Sequence, residues 1–251
     1  MFKMMTFCKI FLLIFDPMNL SAQEIAKATG STLELAEKYR PYLNKYMGKY
    51  DINTPERAIA FLAQVGTESG GLKFTKEQGN DSYFGKYEFR QDLGNTQAGD
   101  GLRFKGRGLI QLTGRANYQK MSQKVGKDLI SNPQLVEEPD LAVEVSTIFW
   151  RDRMRNGINL NQWADKFNLQ EPLDSSANWD VHTNITKAIN GGTNGINDRA
   201  DRMNRGREIY AMIKKNLSAK GSNKTKRIIF FSIIGIALIS LSIYAYVKIR
   251  K

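Results

Sequence analysis

Residues 54–71 read TPERAIAFLAQVGTESGG, and the architecture follows from this stretch. Thr54 suits a helix N-cap, Pro55 a first helical turn, and Glu56 the positive end of a helix dipole. Ala58, Phe61, Leu62 and Val65 recur at three- and four-residue spacing, which predicts a helix over 55–65 with one apolar face. The pattern stops at Thr67-Glu68-Ser69-Gly70-Gly71, so a carboxyl group stands just beyond the helix, where two glycines release the chain into a turn.

The same spacing recurs on both sides. It predicts helices over 21–28 and 33–47, then over 116–125, 140–153, 184–189 and 200–215. Ser21, with Glu24 three residues on, forms a capping-box pattern at the first of these. Residues 73–108 hold seven glycines and few long apolar runs, and read as loop with a short β-hairpin near 87–104. The expected fold class is mainly α with a small β and loop region.

The composition narrows the function. With 251 residues and 41% apolar content the chain has room for one well-packed domain and appendages. The single cysteine, Cys8, excludes an intramolecular disulfide framework and a cysteine zinc site. One histidine, His182, argues against a histidine-rich metal site, so no metal is expected. The net charge is +12, but seven basic residues and no acids lie from Lys220 onward, leaving +5 for residues 1–219. That surplus suits an anionic wall polymer or lipid surface, and no finger or aromatic RNA-binding motif supports nucleic acid as a partner.

Residues 228–247, IIFFSIIGIALISLSIYAYV, carry no charge over twenty positions, the length of a transmembrane helix. Lys224, Lys226 and Arg227 precede the run, Lys248, Arg250 and Lys251 follow it, and Tyr244 and Tyr246 stand where interfacial aromatics are expected. Basic flanks on both sides leave the orientation open. The N-terminal run Phe11 to Phe15 is bracketed by Lys9 and Asp16 too tightly for a signal-peptide core. The organisation read from the sequence is an N-terminal extension or weak export signal at 1–17 and a catalytic domain at 18–215. A polar basic linker at 216–227, a membrane helix at 228–247 and a basic tail at 248–251 complete it.

Glu68 lies beyond the carboxyl end of its helix, among carbonyls that disfavour a second negative charge, which suits a general acid. Glu88 follows twenty residues later in Tyr87-Glu88-Phe89-Arg90, where Arg90 favours its ionised form and a general base is needed; Glu77, Asp92 and Asp100 compete for that role. Two carboxyl groups on separate elements are what glycosidic bond hydrolysis requires. Gln111 and Thr113 offer an amide and a hydroxyl for a water molecule or an acetamido group. His182 reads as structural, and Trp150, Trp163 and Trp179 as core or cleft wall.

Three separated strings carry a resemblance: Phe61 to Gly71, then Arg103 to Tyr118 (RFKGRGLIQLTGRANY), then Ile185 to Gly192 (ITKAINGG). In order and spacing they resemble glycoside hydrolase family 19, the chitinases and related endolysins of bacteria and phages, over roughly residues 18–215. The resemblance implies a lysozyme-like, mainly helical fold of two lobes around a cleft, an inverting mechanism and no cofactor. It implies Glu68 as acid, Glu88 as base and Thr113 as the residue that helps position water. Gln111, Asn117 and Asn190 match sugar-binding positions, and Arg202 matches an arginine supporting the acidic pair. Thr67 stands where the family usually has histidine. The absence of the plant enzymes' disulfides points to the bacterial or phage branch.

Together these readings describe a monomeric, membrane-anchored hydrolase of β-1,4 bonds in N-acetylglucosamine polymers, with peptidoglycan preferred and chitin open. A lytic transglycosylase, which needs no second carboxylate, and a noncatalytic wall-binding protein are the alternatives.

Overall fold

A computed structural model describes residues 19–210. The N-terminal extension, the linker, the apolar run at 228–247 and the basic tail lie outside the described residues. Among the described residues no helix is long and apolar enough to cross a membrane.

The helices are α1 (Ala22–Thr29), α2 (Leu33–Lys49), α3 (Pro55–Glu68), α4 (Asp81–Phe84), α5 (Asp100–Arg103), α6 (Arg115–Val125), α7 (Pro139–Asp152), α8 (Leu160–Ala164) and α9 (Ser176–Asn190). A further helix, α10, occupies residues 196–210. The sequence pattern placed α9 and α10 but started both late, because their first turns carry little periodic apolar signal; the part of the last helix expected at 211–215 lies outside the described residues. The only strands among the described residues are β1 (Met154–Arg155) and β2 (Ile158–Asn159), an antiparallel pair between α7 and α8.

The first three helices start on side-chain caps. Ser21 accepts from the Glu24 amide while the Glu24 carboxylate accepts from the Ser21 amide at 2.7 Å, and Thr32 and Thr54 cap α2 and α3. Such caps each contribute about 1 kcal/mol. From Ala58 to Gly66 every residue of α3 is buried, so this helix is surrounded on all sides. Phe61 meets Trp150 of α7 edge to face, with ring centroids 5.6 Å apart. Gly66 packs directly on the end of α1: a Cβ there would stand 2.5 Å from the Thr29 carbonyl oxygen. Packing therefore fixes where α3 ends, and Glu68 with it.

The hairpin expected near 87–104 does not form. Residues 81–103 instead fold as α4, 3-10 turns at Gly85–Tyr87 and Gln91–Leu93, and α5. Local side-chain bonds win over a ladder here. Asn80 caps α4 at 2.9 Å, and the buried Asp100 carboxylate accepts from the Thr96 and Gln97 amides at 3.0 Å. Antiparallel pairing appears on either side of this region, as bridges from Arg107 to Lys76 and to Leu112. The Glu77 amide donates to the Gly106 carbonyl at 2.9 Å, and the Gly108 amide to the Thr75 carbonyl at 2.9 Å. These bonds tie the segment after α3 to the glycine-rich motif before α6.

Candidate active site

Glu68 is the last residue of α3 and meets Arg199 of α10. The Arg199 guanidinium, 3% exposed, donates one N–H to Glu68 and another to Gln64, one helical turn earlier. Two acceptors on one helix thus orient a buried cation, and the cation in turn orients the Glu68 carboxyl. Beside it the Thr67 hydroxyl donates to Asp198 at 2.7 Å, and Arg202 donates to the same Asp198 oxygen at 2.9 Å. Burial alone would raise the Asp198 pKa, but the bonds from Arg202 and Thr67 hold it below the usual carboxylate range.

Arg202 is therefore not the arginine that touches the acid. Its guanidinium goes to Asp198 and to the Thr29 carbonyl, and Arg199 is the arginine that contacts Glu68. The two arginines lie three residues apart on one helix, and their sequence context alone does not separate them.

Glu88 is likewise engaged elsewhere. Its two carboxylate oxygens accept from the Gly101 amide at 3.1 Å and the Gly99 amide at 3.2 Å, so it closes the turn that opens α5. Arg90, expected to pair with it, instead makes a two-bond contact with Asp92 at 2.7 and 2.6 Å. Asp100 is consumed by Arg115 and by the turn amides. Of the four acids weighed for the base, Glu77 alone lies on the segment paired with the glycine-rich motif. Its carboxylate accepts from the Gly106 amide at 3.0 Å, the Tyr87 hydroxyl at 2.9 Å and Lys86 at 3.4 Å. A Cβ on Gly106 would stand 2.7 Å from the Gln111 amide oxygen and 3.1 Å from the Glu77 carboxylate, so the two side chains converge over a glycine and an added carbon would push them aside.

Gln111, Thr113 and Asn117 line one cavity of about 460 Å³. Gln111 has φ of 56° and donates to the Gly108 carbonyl at 3.0 Å; Thr113 donates to the Gln111 carbonyl at 2.8 Å, and Asn117 to the Thr113 carbonyl at 2.7 Å. The cavity wall does not include Glu68 or Glu77; its Gln111 side chain shares the space over Gly106 with the Glu77 carboxylate. Asn190 stays out of it: its amide donates to the Asn194 carbonyl at 2.6 Å and its carbonyl accepts from Gly192, which closes its own loop.

His182 is buried against Trp179, with ring centroids 5.3 Å apart, and its Nε2 lies 3.0 Å from the Ile196 carbonyl, an acceptor that assigns the proton to Nε2. Burial pushes its pKa down. Trp150 and Trp163 are core residues, each donating its indole N–H, to Asn161 and to the Arg155 carbonyl. Among the described residues no cluster of histidine, cysteine or carboxylate ligands could hold a metal ion.

Comparison with known proteins places this geometry in context. The family model for chitinase class I, glycoside hydrolase family 19, matches residues 43–220. A glycosyl hydrolase family 19 domain-containing protein of Haemophilus influenzae is 31% identical over 59% of this chain and 76% of its own length. The acidic 27 kDa endochitinase of Solanum lycopersicum is 35% identical over 57% of this chain, which spans about half of that protein (56%). The crystal structure of chitinase C from Streptomyces griseus shares the fold with a TM-score of 0.57 at 21% identity, covering 78% of this chain and 94% of that one.

Proposed function

This chain belongs to glycoside hydrolase family 19, chitinase class I, and on that premise we propose that it hydrolyses β-1,4 bonds in an N-acetylglucosamine polymer with inversion at the anomeric carbon. The observation that carries the reading is the pair of carboxyls held on separate elements, Glu68 by Arg199 and Glu77 by Gly106 and Tyr87. Glu68 gives its proton to the leaving glycosidic oxygen while Glu77 takes a proton from the attacking water, so the bond breaks with no covalent intermediate. Thr113, with Gln111 and Asn117 on the adjoining wall, positions the water and the acetamido groups.

Peptidoglycan is the proposed substrate, supported by the surplus of positive charge in residues 1–219 and by the uncharged run at 228–247, which tethers the domain beside a wall. Chitin is the second reading, favoured by the similarity to a protein named as an endochitinase. Early-time NMR of products from peptidoglycan and from chitin oligomers tests both. Inverted reducing ends are expected; retained configuration excludes the mechanism, and anhydro ends identify a transglycosylase. Deleting 228–251 is expected to move the protein into the soluble fraction with unchanged specific activity, and a truncated protein that still sediments with membranes after a salt wash places the anchor elsewhere.

A further inference from the structure

The cavity that adjoins Glu77 through Gln111 is basic at its far end. Helix α6 sets Asn117, Lys120 and Lys124 on its wall at the three- and four-residue spacing that aligns side chains on one face. Across from them the end of α7 and the residue after it contribute Asp152 and Arg153. Three cations against one anion leave the lining two positive charges in excess.

These cations are not equally occupied. Lys124 is ion-paired with Asp152, which Arg151 also holds at 2.7 Å. Arg153 spends its Nε on the Ala188 carbonyl at 2.6 Å. Lys120 has no ionic or hydrogen-bonding partner among the described residues and is exposed, although it stands on a concave wall one turn from Asn117. A compact charge on a flexible stem beside two fixed ones suits a carboxylate arriving with the ligand. Beside these charges the wall also carries the apolar Ile148, Phe149 and Met154, which suit a short aliphatic substituent leading to that carboxylate.

We propose that this end of the cavity binds a carboxylate borne by the glycan itself, on a lactyl ether or an attached peptide of an N-acetylated sugar, with Lys120 as its direct ion-pairing partner. The inference rests on the peptidoglycan reading above and assigns the feature that separates that polymer from chitin. A neutral N-acetylglucosamine chain offers hydrogen-bond acceptors but no counter-charge to Lys120. An acidic chain with its reacting bond near Glu77 places a neighbouring substituent against α6.

Binding is measured on the full-length protein carrying Glu68→Gln, so that turnover does not enter. The probes are an N-acetylglucosamine tetramer, a tetramer alternating with lactyl-bearing sugars, the same tetramer with its lactyl carboxylates amidated, and the amidated form carrying a short peptide with a free carboxylate. A carboxylate-bearing probe is expected to bind about fivefold more tightly than its uncharged counterpart at low salt, and the advantage to shrink as salt rises. Adding Lys120→Gln is expected to remove that advantage, and Lys120→Arg to keep most of it. Which acidic probe shows the dependence identifies a lactyl or a peptide carboxylate. Equal binding of charged and uncharged probes, or an equal loss on all of them in Lys120→Gln, overturns the proposal. Wild-type hydrolysis of the same acidic strands is read separately: Lys120-dependent binding without hydrolysis keeps this site and removes the substrate assignment.

Discussion

Arg199 of α10 donates to both Glu68 and Gln64 of α3, so the only charged partner of the candidate acid among the described residues comes from a helix more than a hundred residues away in sequence. The guanidinium is almost fully buried, and removing it leaves a carboxyl and an amide oxygen without their donor. Arg199→Ala is expected to cost about 3 kcal/mol of stability. Arg199→Lys keeps the charge but not the fork, and so cannot hold both acceptors in one geometry. Urea unfolding and kcat on the same samples test this: the lysine variant should recover much of the stability and remain well below wild type in kcat, since a small misplacement of a catalytic group costs up to about a hundredfold. Equal recovery of both quantities would make Arg199 a structural residue only.

Glu77 and Glu88 are separated by what holds them. Glu77→Gln is expected to lower kcat by about two to four orders of magnitude with little change in stability, because the amide keeps the shape and cannot take a proton from water. Glu88→Ala is expected to destabilise by about 1 kcal/mol, through the loss of the acceptor for Gly99 and Gly101, with kcat nearly retained. The reverse pattern returns the base to Glu88. A crystal structure is expected to place the Glu68 and Glu77 carboxyls about 6.5–9.5 Å apart.

His182 sets a pH dependence of stability. Its folded pKa is depressed by burial, so in the window below about 6.5 the unfolded chain binds more protons than the folded one. The stability from keeping this ring neutral is full above pH 6.5 and is lost as pH falls toward the folded value. Denaturation midpoints should therefore drop between pH 7 and 5 in the wild type. In His182→Gln, whose amide can still donate to the Ile196 carbonyl, the drop should be smaller. Parallel curves for the two proteins would exclude His182 as the titrating group.

The helical architecture was legible in the sequence because α1, α2, α3 and α7 carry both caps or proline starts and periodic apolar faces. Glu68, Gln111, Thr113 and Asn117 were proposed for a different reason: they sit in continuous strings that resemble the family's motifs, and the cavity wall brings the last three together. The second carboxylate of the proposed pair was not legible. Glu77 and Glu88 are both acids in a glycine-rich segment, and only the Lys76 to Arg107 bridge shows which one returns to the glycine-rich motif. That pairing is long-range, and no local pattern encodes it. Arg199 and Arg202 pose the same difficulty, since one helical turn decides which of them faces α3. Asn190 has the right residue type beside two glycines, but those glycines let the loop fold back onto its amide.

Gly66 connects the packing of the fold to the position of the acid, and a single methyl group tests the link. In α3 an alanine gains about 0.5–1 kcal/mol of helix propensity over glycine, so an open site would be stabilised by the change. Here the added carbon meets the Thr29 carbonyl oxygen at 2.5 Å, and backbone must move. Overpacking of this kind costs about 1–3 kcal/mol, which outweighs the propensity gain. The movement separates α1 from α3 two residues before Glu68 and disturbs its contact with Arg199. Gly66→Ala is therefore expected to lower the melting temperature by several degrees and kcat with it, whereas Gly85→Ala, with nothing within 4 Å of the new carbon, leaves both close to wild type. A Gly66→Ala protein with unchanged melting temperature and full activity would show that the end of α3 is positioned by something other than its seat on α1.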